Sequence, residues 1–184
     1  MVPQNFTNKS HEALQRSHTL AQDNGQSQIE PSHLFYALIE QDEGIVISIL
    51  KKKNTDIAGL KAELNNTLDG LPKVHGIPLG DGVGHVYISH PLMMILNQSS
   101  QEARQMQDEY ISTEHVLLAF LSVRNPLSSL FAKYKIDYDD VLKILVSVRG
   151  TTKVDSPEPE SKYNALEKYG KNLTQLARNG KLDP

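Results

Sequence analysis

A chain of 184 residues, 39% apolar and 22% charged, is long enough to bury one sizeable core or two small ones. Its net charge of −3 lacks the basic excess a general nucleic-acid binder needs, and it has no cysteine for disulfides, thiolate metal sites or a thiol nucleophile. Met1-Val2-Pro3-Gln4-Asn5 has no charged segment leading into an apolar one, and no later run approaches the roughly 18 apolar residues of a membrane span. The expected setting is the cytoplasm, with neither nucleic acid nor membrane as partner.

The chain divides into a patterned zone, residues 1–150, a polar stretch, 151–161, and an amphipathic segment, 162–184. In the patterned zone Thr7 is an N-cap residue type ahead of Ala13, Leu14, Leu20 and Ala21, spacing that predicts a helix to about Asn24. Ile29-Glu30-Pro31-Ser32-His33-Leu34 opens a second helix, with Pro31 where a first-turn proline is tolerated. A short third helix follows at Ile45 to Lys53, its lysines facing the negative end of the helix dipole. Asp56 opens a fourth, with Ile57, Leu60 and Leu64 on one face.

The pattern then repeats with a period of about 80 residues. Ile111-Ser112-Thr113-Glu114-His115-Val116 aligns with Ile29 to Leu34, so that His115 falls on His33; Ser89 falls on Thr7, and after a one-residue slip Asp137 falls on Asp56. The second copy should therefore carry helices from Ser89 to about Glu109, from Ser112, from Leu127 to Tyr134, and from Asp137. The fold class is all-α: a duplicated four-helix repeat of about eight helices, with copies at about 6–70 and 86–149.

Between the copies, Leu71-Pro72-Lys73-Val74 leads into Gly80-Asp81-Gly82-Val83-Gly84. These glycines read as an inter-repeat loop rather than a phosphate cradle, because no Gly-Lys-Ser/Thr follows and Asp81 lies inside the run. The seven histidines show no metal-ligand spacing, and no Ser-His-Asp arrangement stands out, so neither a metal nor a catalytic residue is expected. Residues 151–161, with Pro157 and Pro159 and almost no apolar side chain, read as a flexible linker. In the last segment Tyr163, Leu166, Tyr169, Leu173 and Leu176 give one apolar face, as of a short C-terminal helix.

Phe6-Thr7-Asn8-Lys9, Ile29 to Leu34, Leu71-Pro72-Lys73-Val74, Ile111 to His115 and the run Ala165 to Pro184 together resemble the N-terminal domain of the Clp ATPase chaperones, most closely the ClpB-type disaggregases. The resemblance covers nearly the whole chain. It implies a monomeric domain that engages unfolded or aggregated client proteins for a homohexameric stress-response motor, whose AAA+ modules, with a coiled coil, ATP and Mg, would lie beyond Pro184. No cofactor and no ATPase activity are then expected of these residues themselves. The family's client-handling residues fall on Thr7, Asp108 and Glu114, each with a structural role in competition: N-cap, helix-end residue and first-turn dipole partner. The family's apolar peptide groove falls near Leu96, Gln98, Glu102 and His115, a mixed set. A ClpA/ClpC-type domain that docks an adaptor for a protease is the alternative; phosphoarginine recognition, which pairs acidic residues in both copies, is disfavoured because Ser32 stands opposite Glu114.

Overall fold

The computed structural model describes residues 3, 5–41, 44–74, 86–150 and 152–159. Among them the chain forms α1 (Asn8–Asp23), β1 (Gln28–Ile29), α2 (Pro31–Glu40), α3 (Ile45–Lys52), α4 (Ile57–Asp69), β2 (Tyr87–Ile88), α5 (His90–Gln105), α6 (Thr113–Ser122), α7 (Ser128–Lys133) and α8 (Tyr138–Arg149). The helices fall into two successive four-helix groups, α1–α4 and α5–α8, as the duplicated sequence requires. The glycine run at 80–84 and the amphipathic segment at 162–184 lie outside the described residues.

Local chemistry sets the helix starts. Thr7, Asp56, Ser89 and Asp137 each accept a hydrogen bond from the backbone N–H three residues on, satisfying a donor that has no partner within the helix. The duplication extends to strained backbone positions: Asn54 and Lys135, in register, have φ of 55° and 53°. Gly25 (φ 68°) likewise has its counterpart in Gln107 (φ 58°). That left-handed turn, with Met106 as C-cap, is why α5 stops at Gln105 instead of running on to Glu109.

The two short strands were not legible in the sequence. Gln28–Ile29 pairs in parallel with Tyr87–Ile88, and Phe6 bridges Ile111 in the same sense. The pairing is reciprocal, since the stretch before each copy's first helix binds the stretch before the other copy's second helix. The core crosses the copies too. Phe35, Phe120 and Phe131 meet edge to face, with ring centroids 5.4, 4.9 and 6.0 Å apart. On α1 the buried positions are Ser10, Ala13, Ser17 and Ala21, a small-residue stripe that lets α2 approach closely. On α5 the buried Glu102 accepts from Gln98 and from the Tyr138 hydroxyl at 2.8 Å each, and burial together with that carboxylate pushes the phenol up to about 12. At the periphery Lys53 pairs with Asp137 at 3.2 Å, and Glu63 accepts from Lys133 and Tyr134 at 2.6 and 2.7 Å.

Candidate functional site

Each copy builds the same device between its first and second helices. The ring Nδ1 of His33 accepts the backbone N–H of Glu30 at 2.9 Å, and that of His115 accepts the N–H of Ser112 at 3.0 Å. Both rings are fully buried, and this bond leaves the proton on Nε2. His33 donates it to Gln26 Oε1 at 2.6 Å, and Gln26 in turn donates to the carbonyl of Leu68 at 2.7 Å. Burial lowers the His33 pKa to about 4, against the weaker opposing effect of the Glu30 backbone, so this ring is neutral at pH 7.

In the second copy the same place is charged. His115 Nε2 lies 2.9 Å from Asp108 Oδ2, and Arg149, which stands where the first copy has Leu68, donates to Asp108 Oδ1. The N–H of Val154 adds a third bond to Asp108 Oδ1 at 2.9 Å. The Asp108 side chain has no accessible surface. Burial alone would push its carboxyl up, but the bonds from His115, Arg149 and Val154 outweigh it and bring the pKa down to about 2.

Residues 152–159, expected in a flexible linker, are held along the domain. Val154 is wholly buried, its carbonyl accepts from the N–H groups of Glu109 and Tyr110 at 3.0 and 3.3 Å, and Pro157 O accepts from Asn8 N–H at 2.8 Å. Composition gave no sign of this, because one apolar side chain and backbone hydrogen bonds are enough to hold so short a strap.

Thr7, Asp108 and Glu114 therefore lie on segments bonded to one another: Thr7 N–H donates to Ile111 O at 3.0 Å just ahead of α6, and Asp108 holds the ring that follows Glu114. All three side chains are buried. Thr7 caps α1 and Asp108 anchors the strap, whereas Glu114, in the first turn of α6, has both carboxylate oxygens without a hydrogen-bond partner among the described residues, as does the hydroxyl of neighbouring Thr113.

An apolar cleft opens elsewhere. A cavity of about 620 Å³ lies between α1 and the start of α5, floored by Leu14, Ile29, Ile88 and Leu92 and rimmed by Gln15, His18 and Thr19. Leu96 and His115, near which the resemblance places a groove, are both fully buried, and Glu102 is committed to Tyr138. The cleft joins the two copies, Leu14 and Ile29 of the first with Ile88 and Leu92 of the second. Leu92 corresponds to Ser10 and Ile88 to Phe6, and Phe6 is buried with its ring edge-on to His11 at 5.9 Å.

The sequence from residue 5 to residue 148 matches the Clp repeat (R) N-terminal domain. The chain belongs to that family. It is 38% identical over 179 residues to the chaperone protein ClpB of Bacillus anthracis, covering 97% of this chain and 20% of that protein. The chain thus spans about a fifth of the length of such Clp relatives. The Hsp104 N-terminal domain from Candida albicans shares the fold, with a TM-score of 0.73 at 20% identity over 85% of this chain and 99% of that one. So does a ClpV N-domain in complex with a VipB peptide, at TM-score 0.65 and 15% identity over 77% and 85% of the two chains. The Clp N-terminal domain is the non-catalytic part of such proteins. Among the described residues no group of three or more His, Asp or Glu could hold a metal ion, and no helix is long and apolar enough to cross a membrane.

Proposed function

We propose that this Clp N-terminal domain captures unfolded or aggregated protein for a ClpB-type disaggregase, holding exposed apolar segments in the α1–α5 groove for transfer to a cytoplasmic homohexameric motor that uses ATP and Mg. The observation that carries this reading is the groove itself. Its floor of Leu14, Ile29, Ile88 and Leu92 rewards apolar burial without reading a particular sequence, and the rim of Gln15, His18 and Thr19 supplies the few polar contacts that orient a chain. A shallow site of this kind gives weak affinity, which suits a client that must be passed on. Glu114 supports the same reading, because a buried carboxylate without a partner is destabilising unless something in the working protein pairs with it. Thr7 and Asp108 act beside it by shaping the starts of α1 and α6.

The test is NMR titration of the chain with several unfolded model proteins. Amide shifts at Leu14, His18, Ile88 and Leu92 are expected, and Leu14→Asp should weaken binding at least fivefold, about 1 kcal/mol. No movement at those positions with any unfolded protein would remove the proposal. A second reading, docking of one defined partner as in the ClpA/ClpC-type alternative, is favoured by the ClpV N-domain's complex with a VipB peptide. Recovery from lysate of a single stoichiometric folded partner, with no response to unfolded chains, would select it.

A further inference from the structure

The strap at 152–158 is bound as a peptide ligand would be. Val154 places one small branched side chain in a fully buried position, donates its N–H to Asp108 Oδ1 at 2.9 Å, and offers its carbonyl to the N–H groups of Glu109 and Tyr110 at 3.0 and 3.3 Å. Three residues on, Pro157 needs no N–H of its own, and its carbonyl takes the Asn8 N–H at 2.8 Å, while Asn8 Nδ2 donates to Glu158 Oε1 at 2.9 Å. Most of these contacts use strap backbone, which every polypeptide possesses; side chains enter at the Val154 pocket, at the Asn8–Glu158 bond and where Lys153 Nζ donates to Gln107 Oε1 at 3.0 Å. The receptor half also has bonds that do not involve the strap. Asp108 is held by His115 and by Arg149, whose Nε also donates to the Thr152 carbonyl of the strap, and the loop from Glu109 to Ile111 is tied to Asn5 and Thr7.

We infer that residues 152–158 are a resident intrachain ligand, and that an extended client segment carrying a small branched apolar residue displaces them between Asp108 and Asn8. The inference rests on the client binding proposed above but concerns a second surface, separate from the α1–α5 groove. It gives Thr7 and Asp108 a place in client handling despite their burial: they frame a site that the chain itself fills when idle. Displacement frees residues 152–158 themselves, so client arrival at this end is coupled to release of the strap.

The test uses the 184-residue chain and a fluorescent peptide copying residues 150–159. Because a closed strap lowers the competent fraction, Val154→Gly should tighten peptide binding about tenfold, and Glu158→Ala, exposed and clear of the core, about twofold. Reduced, carboxymethylated lactalbumin should displace the labelled peptide, and in the unaltered chain it should speed amide exchange at Val154. Equal peptide affinity in the unaltered chain and the folded Glu158→Ala variant would overturn the inference. So would peptide left in place by the unfolded protein, or strap exchange between two copies seen as a concentration-dependent dimer. Client-induced shifts at Leu14 and Ile88 without any at Glu109, Tyr110 or Val154 would sink this inference and leave the groove proposal standing; the converse pattern would do the opposite.

Discussion

Asp108→Asn offers the sharpest test of how the second copy is held. The native carboxylate accepts from His115, Arg149 and Val154 with no accessible surface. The amide keeps the shape but removes the charge facing the buried Arg149 guanidinium and turns a donor toward one of three donors. Breaking a buried pair from one side costs about 3–5 kcal/mol. The lowered pKa reflects the same contacts. From an ordinary 3.8 to about 2 in the folded chain, at roughly 1.4 kcal/mol per unit, linkage assigns the carboxylate ~2–3 kcal/mol of stability. Because the folded value is depressed, that stability is present above the unfolded value and is lost as pH falls from about 3.8 through about 2. Urea denaturation followed by circular dichroism should show the variant destabilised by ~3–5 kcal/mol at pH 7, with the gap from the native chain narrowing below pH 4. Comparing the two chains removes the contribution of other carboxylates. A gap under about 1 kcal/mol at pH 7, or one that stays constant to pH 2, would refute the reasoning.

Thr7→Ala removes the N-cap of α1 and should lower stability by about 1 kcal/mol in the same assay, with Thr7→Ser close to native. His33 binds its proton less readily folded than unfolded, so the chain should lose up to ~3 kcal/mol as pH falls from about 6.5 to about 4. His33→Gln should flatten that stretch of the pH profile; an unchanged slope would rule out His33 as its source. Glu114→Met replaces a carboxylate without a partner among the described residues, so it should leave stability unchanged or raise it by about 1–2 kcal/mol while weakening client binding. Destabilisation beyond about 1 kcal/mol would mean that the carboxylate supports the fold instead.

The sequence by itself determined the duplicated helical plan. Cap residues at 7, 56, 89 and 137 and apolar positions three and four apart act within a few residues, so they can be read from one segment at a time, and the period of about 80 residues joins those segments into two copies. Thr7, Asp108 and Glu114 came forward only through the family resemblance, which did not show that all three would be buried. Tertiary structure decided what the surface offers. Asp108 meets Arg149 and Val154 across 41 and 46 residues of chain, and residues 28–29 pair with 87–88 across the boundary between copies. The α1–α5 cleft likewise draws Leu14 and Ile29 from one copy and Ile88 and Leu92 from the other. Contacts of that range depend on which backbones pack side by side, and a polar strap with one valine shows no periodicity to reveal its docking place until the partner loop is folded beside it.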